Sequence, residues 1–156
     1  MGLLALGSLA LASTSFAQSV PSGLLQKVQQ AVLTRQAVFD LVRFTWEPAA
    51  VSLRPGSQPL NPPAVTKLAQ RLQVLATYIP EVFEAADTRA VPGLKTRARE
   101  AIWTNKSDFD QKAAGLAAAS AALEVAARAG NAEEIRNAEV GVGKACAACH
   151  DQYRSD

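Results

Sequence analysis

The chemically versatile residues of this sequence are concentrated in one pentapeptide, Cys-Ala-Ala-Cys-His, at residues 146–150. These five positions hold both cysteines and the one histidine of the 156-residue chain. Two thiols three residues apart lie on nearly the same face of a helix, so they can add across the two vinyl groups of one haem. The neighbouring imidazole then stands where it can bind the iron. The spacing therefore predicts one covalently attached haem c per chain, with Cys146 and Cys149 as thioether positions and His150 as axial ligand.

Other uses of the motif fit less well. A redox dithiol of the Cys-x-x-Cys type has its first cysteine at a helix N-terminus, where the thiolate is stabilised, whereas this motif falls about four turns into a predicted helix. A structural zinc site takes four ligands, usually cysteine or histidine, and the chain offers three of these. A disulfide spanning three residues would be strained in helical geometry. Haem attachment is therefore the favoured interpretation.

The iron's second axial position has no strong candidate ligand. Electron-transfer haems take histidine or methionine there, but His150 is the only histidine, and the only methionine is Met1. Lysine, tyrosine and the terminal amine are the remaining and uncommon candidates. We therefore expect a five-coordinate iron with one open position, which binds small diatomic molecules.

The N-terminal residues are typical of an export signal. Residues 3–12 are apolar and small, no charged side chain precedes Lys27, and the tripeptide at 15–17 fits a small-x-small cleavage site. The apolar run is too short to span a bilayer, and the alternative is an uncleaved N-terminal anchor. We predict a signal peptide at 1–17, a mature domain at 18–156 and a periplasmic location.

Four amphipathic helices are predicted to position the motif. Alanine is abundant, and the net charge of +2, from 16 basic and 14 acidic side chains, gives no reason to expect a nucleic-acid partner. Apolar residues recur at helical spacing in four segments, and residues 81–101 between the second and third are expected to form an irregular crossover. The predicted helices are Ser22–Trp46, ended by Pro48; Pro62–Ile79, capped by Asn61 and stopped or bent by Pro80; Asn105 to Gly130; and a last helix capped by Asn131 and running through Tyr153. Four amphipathic helices of matched length predict an all-α, antiparallel four-helix bundle in one domain, with the haem on the C-terminal helix.

Three stretches resemble the cytochromes c′, the class II c-type cytochromes. They are "VGKACAACHDQYR" in the last helix, "LTRQAVFDLV" in the first and "IWTNKSDFDQKAAGL" at the start of the third. The resemblance implies that Arg35 is the first-helix arginine near the haem propionates and that Phe39 covers the distal face of the haem. It also implies that Arg154 is the basic residue beside the proximal His150. From the residues alone, Arg35 could instead extend to solvent, and Arg154 could be a helix C-terminal cation.

The resemblance also implies a function. Low-spin relatives carry a ligating methionine on the first helix, and this chain has none there, which favours the high-spin, gas-binding branch. The expected activity is binding of nitric oxide and carbon monoxide, for sequestration or detoxification rather than classical enzymatic turnover. The alternative is a periplasmic electron carrier with an unknown redox partner. Family members often form homodimers through their first two helices, so a homodimer of that kind is expected.

Overall fold

The described part of the chain contains four long helices and one short helix. The structure, a computed structural model, describes residues 22–85, 89 and 94–156. Its helices are α1 (Ser22–Ser52), α2 (Pro62–Glu81), α3 (Ala101–Thr104), α4 (Lys106–Ala129) and α5 (Ala132–Tyr153). The four long helices form the predicted antiparallel bundle, and α3 is a single turn that leads into α4. The predicted signal peptide at 1–17 lies outside the described residues, among which no helix has the length and apolarity needed to cross a membrane.

Local side-chain chemistry sets several helix ends where the sequence predicted them. Asn61 Oδ1 accepts a hydrogen bond of 2.9 Å from the Ala64 N–H and so caps α2. Asn131 Oδ1 accepts from the first-turn N–H groups of α5, at 3.0 and 3.2 Å. Gly130 ends α4 with a φ of 77°, in the left-handed region that favours glycine. These caps confirm the predicted boundaries of three helices.

The predicted end of the first helix at Trp46 is wrong, because α1 continues through Pro48 to Ser52. A proline inside a helix removes one backbone hydrogen bond and normally bends or ends the helix. Here the last turns of α1 are stabilised by the helix face opposite Pro48, which packs into the bundle. Ala49 and Ser52 are buried, and Ser52 Oγ donates to the Ala49 carbonyl at 2.8 Å. Burial of that face therefore outweighs the helix-breaking tendency of an exposed proline.

The densest packing lies between α2 and α4. The inner face of α2 buries Val65, Leu68, Leu72, Ala76 and Ile79. The face predicted for α4 is confirmed, with Phe109, Leu116, Ser120, Leu123 and Ala127 all buried. Next in extent is the α4–α5 contact, whereas α1 packs chiefly on α2 and few of its residues approach α5. The core is thus centred on α2 and α4, with α1 and α5 at its open side.

The crossover between α2 and α4 is tied back to the end of α5. Ser155 N–H donates to the Arg97 carbonyl at 2.8 Å, and Arg99 N–H donates to the Tyr153 carbonyl at 3.0 Å. Ala98 and Arg154 thereby form one isolated antiparallel bridge. The pairing brings the crossover's two arginines next to the last turn of α5, where the Cys-x-x-Cys-His motif ends.

Candidate haem attachment site

The two thiols lie inside α5 and not at its N-terminus. Cys146 and Cys149 are free, partly buried and packed against the bundle core. Burial raises the pKa of both thiols, and the nearby Cys146 adds to the rise that brings the pKa of Cys149 to about 11. A reactive dithiol needs the opposite shift, toward an accessible thiolate. The environment therefore argues against a redox dithiol and leaves two protonated thiols on one helix face.

His150 lies beside Arg154, as the sequence predicted for this pair. The Arg154 Nη1 and the His150 Nδ1 are 3.2 Å apart. A guanidinium has only donors, so Nδ1 accepts and Nε2 is the nitrogen that Arg154 does not engage. Loss of hydration lowers the pKa of His150, the fields of Arg154 and Arg97 lower it further, and Asp151 opposes them. The lowered pKa favours the neutral imidazole, which is the form that ligates a metal.

Two further arginines stand beside His150 and were not singled out in the sequence. A cavity of about 380 Å³ next to the imidazole is lined by Arg97, Arg99 and Arg154 together with Asp151, Ser155 and Asp156. Arg97 Nε donates to the Ser155 carbonyl at 2.8 Å, and Arg99 Nη1 donates to the Asp151 carbonyl at 2.9 Å. The only sequence signal for them was the basic run "KTRAR" in the crossover.

Arg35 is buried and does not extend to solvent. Its side chain is 4% exposed, and its Nε donates to the Val82 carbonyl at 2.7 Å. The guanidinium carbon lies 4.8 Å from the centre of the Phe83 ring and 5.4 Å from that of Trp103, within cation–π range. This position contradicts the alternative of a solvent-extended arginine, while the propionate role remains a prediction.

A chain of edge-to-face aromatic contacts connects α1 with α5. The half-buried Phe39 packs on Phe83 with ring centres 6.2 Å apart, and Phe83 packs on Phe109 at 5.0 Å. Phe109 in turn packs on Tyr153 at 5.2 Å. Phe83 thus joins the first-helix residues to the helix that carries the motif. It continues the apolar stripe of α2, four residues after Ile79. Sequence reasoning missed it because Pro80 was expected to stop or bend that helix.

Tyr153, just after the motif, is the last residue in this series of aromatic contacts. Its hydroxyl donates to Asp108 Oδ2 at 2.6 Å. Burial raises the pKa of Tyr153 to about 12, and the hydrogen bond to Asp108 and its negative charge add to that rise. The phenol therefore stays protonated and fixes the last turn of α5 against the start of α4.

Glu139 is a second residue that sequence reasoning missed. It is 4% exposed, and no group in the described part of the chain makes a hydrogen bond to its Oε1. Burial raises its pKa, and the charge of Arg136 and the Ser52 hydroxyl oppose that rise. The signal was present in the sequence, because Glu139 falls between Ile135 and Val142 on the apolar stripe that leads to Cys146.

These side chains fit a c-type haem. Two free thiols share one face of α5, and a neutral imidazole follows them directly. The thiols are only partly covered, so the face that carries them is accessible, and the helix on the other side of it, α1, makes few contacts with α5. The donor set and the open side of the bundle thus suit a group held by two thioethers and one histidine.

Comparison with known proteins decides the family. The model of the cytochrome c′ family matches residues 30–154. The chain belongs to the cytochrome c′ family. It is 32% identical over 144 residues to cytochrome c′ of Cereibacter sphaeroides, covering 92% of this chain and 95% of that one. Membership confirms the resemblance and makes the chain a c-type haem protein.

Solved structures agree with this assignment. Cytochrome c prime from Shewanella frigidimarina has a TM-score of 0.72 at 30% identity, over 83% of this chain and 97% of that one. A nitric oxide complex of a variant cytochrome c prime from Alcaligenes xylosoxidans has a TM-score of 0.67 at 27% identity, over the same shares of the two chains. Cytochrome c′ is itself a standard example of the four-helix bundle, so the family confirms the fold predicted from the sequence.

Proposed function

We propose that this chain binds nitric oxide, and also carbon monoxide, at a five-coordinate haem iron. One observation carries the proposal. The motif at 146–150 uses the chain's only histidine, and the only methionine is Met1, in the predicted signal peptide. The mature chain then has neither of the usual sixth ligands. The nitric oxide complex known for the Alcaligenes xylosoxidans relative supports the same activity here.

On the proximal side, the motif would hold the haem. Cys146 and Cys149 form the two thioethers of one haem per chain, and the His150 Nε2 binds the iron. Arg154, 3.2 Å from Nδ1, orients the imidazole from its other edge. When bound, the haem supplies an iron with an open coordination position. The stoichiometry is checked by a pyridine haemochrome assay and by an intact mass heavier by one haem.

On the distal side, apolar rings would cover the haem. Phe39 and Phe83 carry no hydrogen-bond donor in their side chains, so they exclude water and do not stabilise bound dioxygen. Nitric oxide and carbon monoxide depend less on such a donor. Arg35 is buried on the inner face of α1. We assign it to a haem propionate because the family resemblance implies that role for the first-helix arginine.

The test is the absorption spectrum of ferric and ferrous protein, with and without nitric oxide. A high-spin, five-coordinate resting spectrum and a Soret shift on adding nitric oxide are expected. Phe39→Ala should raise the carbon monoxide association rate about tenfold or more by opening the distal side. The matched control is Phe44→Ala, whose ring is 69% exposed on the same helix and whose removal should leave the rate unchanged. A low-spin spectrum without a nitric oxide response would defeat the proposal.

An electron carrier is the second candidate. It is favoured by the cavity of about 380 Å³ beside His150, because an open proximal side gives a redox partner close access to the haem ligand. The same spectra distinguish the two functions. A six-coordinate, low-spin haem favours the carrier, whose small structural change on reduction suits rapid electron transfer.

We further propose export to the periplasm with cleavage after residue 17. Family membership supports an exported protein, since c-type haem is attached outside the cytoplasm. N-terminal sequencing of periplasmic material should then begin at Gln18. An uncleaved anchor would instead leave residues 1–17 on a membrane-bound form.

A homodimer through α1 and α2 is part of the proposal. Both helices expose large apolar side chains, namely Leu33, Leu41, Phe44 and Val51 on α1 and Val74 and Tyr78 on α2. Phe44→Glu should convert the dimer to a monomer in sedimentation velocity. Val125→Glu is the control, because Val125 is 68% exposed on α4 and its change should leave the dimer intact. A wild-type monomer would contradict this assignment.

A further inference from the structure

Glu139 is a buried carboxyl group that no role described so far explains. It is 4% exposed on the inner face of α5, and its Oε1 lacks a hydrogen-bond partner among the described residues. Nearly all buried polar atoms in folded proteins have a partner, so an unpaired buried carboxylate oxygen calls for a specific reason. Removal of a carboxylate from water without pairing is costly unless the group takes up a proton.

The groups around Glu139 do not neutralise it. From the end of α1, the Ser52 hydroxyl faces Glu139, and it also lies 2.8 Å from the Ala49 carbonyl. One turn earlier on α5, the exposed Arg136 acts on it at a distance and donates to the Leu53 carbonyl at 3.4 Å. A serine hydroxyl can accept from a carboxylic acid and can donate to a carboxylate. The surroundings can therefore hold either protonation state.

Within the described residues, the only charged group that acts on Glu139 is Arg136 of α5 itself. The buried polar side chains of the described residues are Arg35, Thr45, Ser52, Ser120 and Glu139. On α4, which packs against α5, the buried polar member is the uncharged Ser120. Arg35 is held at the other end of the α1 inner face, between Phe83 and Trp103. Burial therefore dominates and raises the pKa of Glu139, with Arg136 and Ser52 opposing.

Glu139 also shares a face with the haem-attachment cysteines. Residues 139, 142, 146 and 149 follow one another at spacings of three and four, so they form one stripe on α5. Glu139 precedes Cys146 by two turns, roughly 10 Å along the helix axis. At such a separation inside a protein, charges interact far more strongly than they do in water. A carboxyl here responds to the charge of a haem held by these cysteines.

We propose that Glu139 is a proton-binding site coupled to the oxidation state of the haem iron. An external one-electron donor reduces ferric to ferrous iron, and Glu139 takes one proton from solvent onto its carboxylate. The electron removes one positive charge from the haem, so the carboxylate loses an attraction that had stabilised its ionised form. Uptake of one proton then restores the net charge of the site. The proposal rests on haem attachment and is independent of nitric oxide binding.

The test is a spectroelectrochemical titration of the haem-loaded protein between pH 5 and 9. In wild type, the midpoint potential should fall as pH rises, approaching about 59 mV per unit, which corresponds to a tenfold change in proton concentration for one electron. Haem propionates also titrate, so the decisive comparison is between variants. Glu139→Gln should flatten the slope in this window, whereas the exposed control Glu133→Gln on the same helix should keep it.

An infrared difference spectrum between ferrous and ferric protein gives a second, direct measurement. Wild type and Glu133→Gln should gain a protonated carboxylic acid band on reduction, and Glu139→Gln should lack it. Ser52→Ala should move the sloping window to higher pH, because it removes a hydroxyl that stabilises the carboxylate. A full slope or an unchanged acid band in Glu139→Gln would overturn the proposal, and an unmoved window in Ser52→Ala would count against it.

Discussion

Two glutamates show how differently the two sides of this bundle are built. On α4, Glu124 accepts hydrogen bonds from Gln73 at 2.7 Å, from Gln70 at 2.8 Å and from Arg128 at 2.6 Å. These donors lower the pKa of Glu124 to about 2, and Gln73 makes the largest contribution. On α5, Glu139 has an oxygen without a partner, and burial raises its pKa. The Glu124 carboxylate on the α2–α4 side thus has several hydrogen-bond donors, whereas Oε1 of Glu139 on the α1–α5 side has none among the described residues.

The apolar packing shows the same contrast. Leu72 and Leu123, on α2 and α4, are at most 1% exposed. On α1, Val32 and Val38 are buried as well, but few residues of this helix approach α5. Because α1 and α5 hardly touch each other, direct packing between them contributes little stability. The stability of this side therefore depends on what lies between the two helices. The difference indicates a permanent α2–α4 core and an α1–α5 side arranged around the haem.

The largest expected effect follows from removing the haem. The double variant Cys146→Ser/Cys149→Ser should fall from one haem per chain to none, and α1 should lose amide-exchange protection far more than α2 and α4. The control Ala147→Ser/Ala148→Ser changes two exposed residues of the same motif and should keep its haem. Equal amide-exchange protection of α1 with and without haem would contradict the difference between the α2–α4 core and the α1–α5 side.

Next in size is a cavity in the α2–α4 core. Leu123 is fully buried, and Leu123→Ala should lower the free energy of unfolding by about 2–5 kcal/mol, since it loses burial and leaves a cavity. Val125→Ala changes a side chain that is 68% exposed on the same helix and should alter stability by less than about 0.5 kcal/mol. Denaturant unfolding of the haem-loaded variants measures both values. Similar losses for the two would contradict a core centred on this interface.

Glu139→Gln should have a smaller effect that depends on pH. The fold raises the pKa of Glu139. At acid pH the carboxyl is protonated in the folded and the unfolded state, so its burial does not oppose ionisation. As pH rises above the unfolded-state pKa, the wild type is progressively destabilised. The variant should therefore be more stable relative to wild type at pH 8 than at pH 4, by about 1.4 kcal/mol for each unit of the shift. Unfolding curves at the two pH values measure this difference. A difference of the opposite sign would show that Glu139 is stabilised as a carboxylate.

Glu124→Gln should have the smallest effect, with the opposite dependence on pH. The pKa of Glu124 is lowered from 4.5 to about 2, so its stabilisation is present above pH 4.5 and is lost as pH falls through about 2. The variant should melt below wild type at pH 7 and together with it near pH 2. The effect should shrink in high salt because the group lies at the surface. Glu47→Gln, at an exposed position on α1, is the control that should change neither value.

Features that depend on neighbours along the chain were predictable from the sequence. Asn61, Gly130 and Asn131 act within one turn of themselves, so their residue types sufficed to locate three helix ends. The five residues of the haem motif are equally local, and their spacing is what predicts two thioethers and an axial ligand. Their chemistry is local, and a helix imposes the geometry as soon as it forms.

Features that depend on how helices meet were decided only by the tertiary structure. Pro48 stays helical because its turn is buried on the opposite face, and Arg35 lies on Phe83, a residue some fifty positions away in the chain. Glu139 could be recognised as a charge on an apolar stripe, but which of its oxygens finds a partner among the described residues depends on the helices packed around it. Whether a buried charge is satisfied depends on every element packed around it. The sequence determines which group falls on a buried helix face, and the packing of the bundle determines which groups surround it.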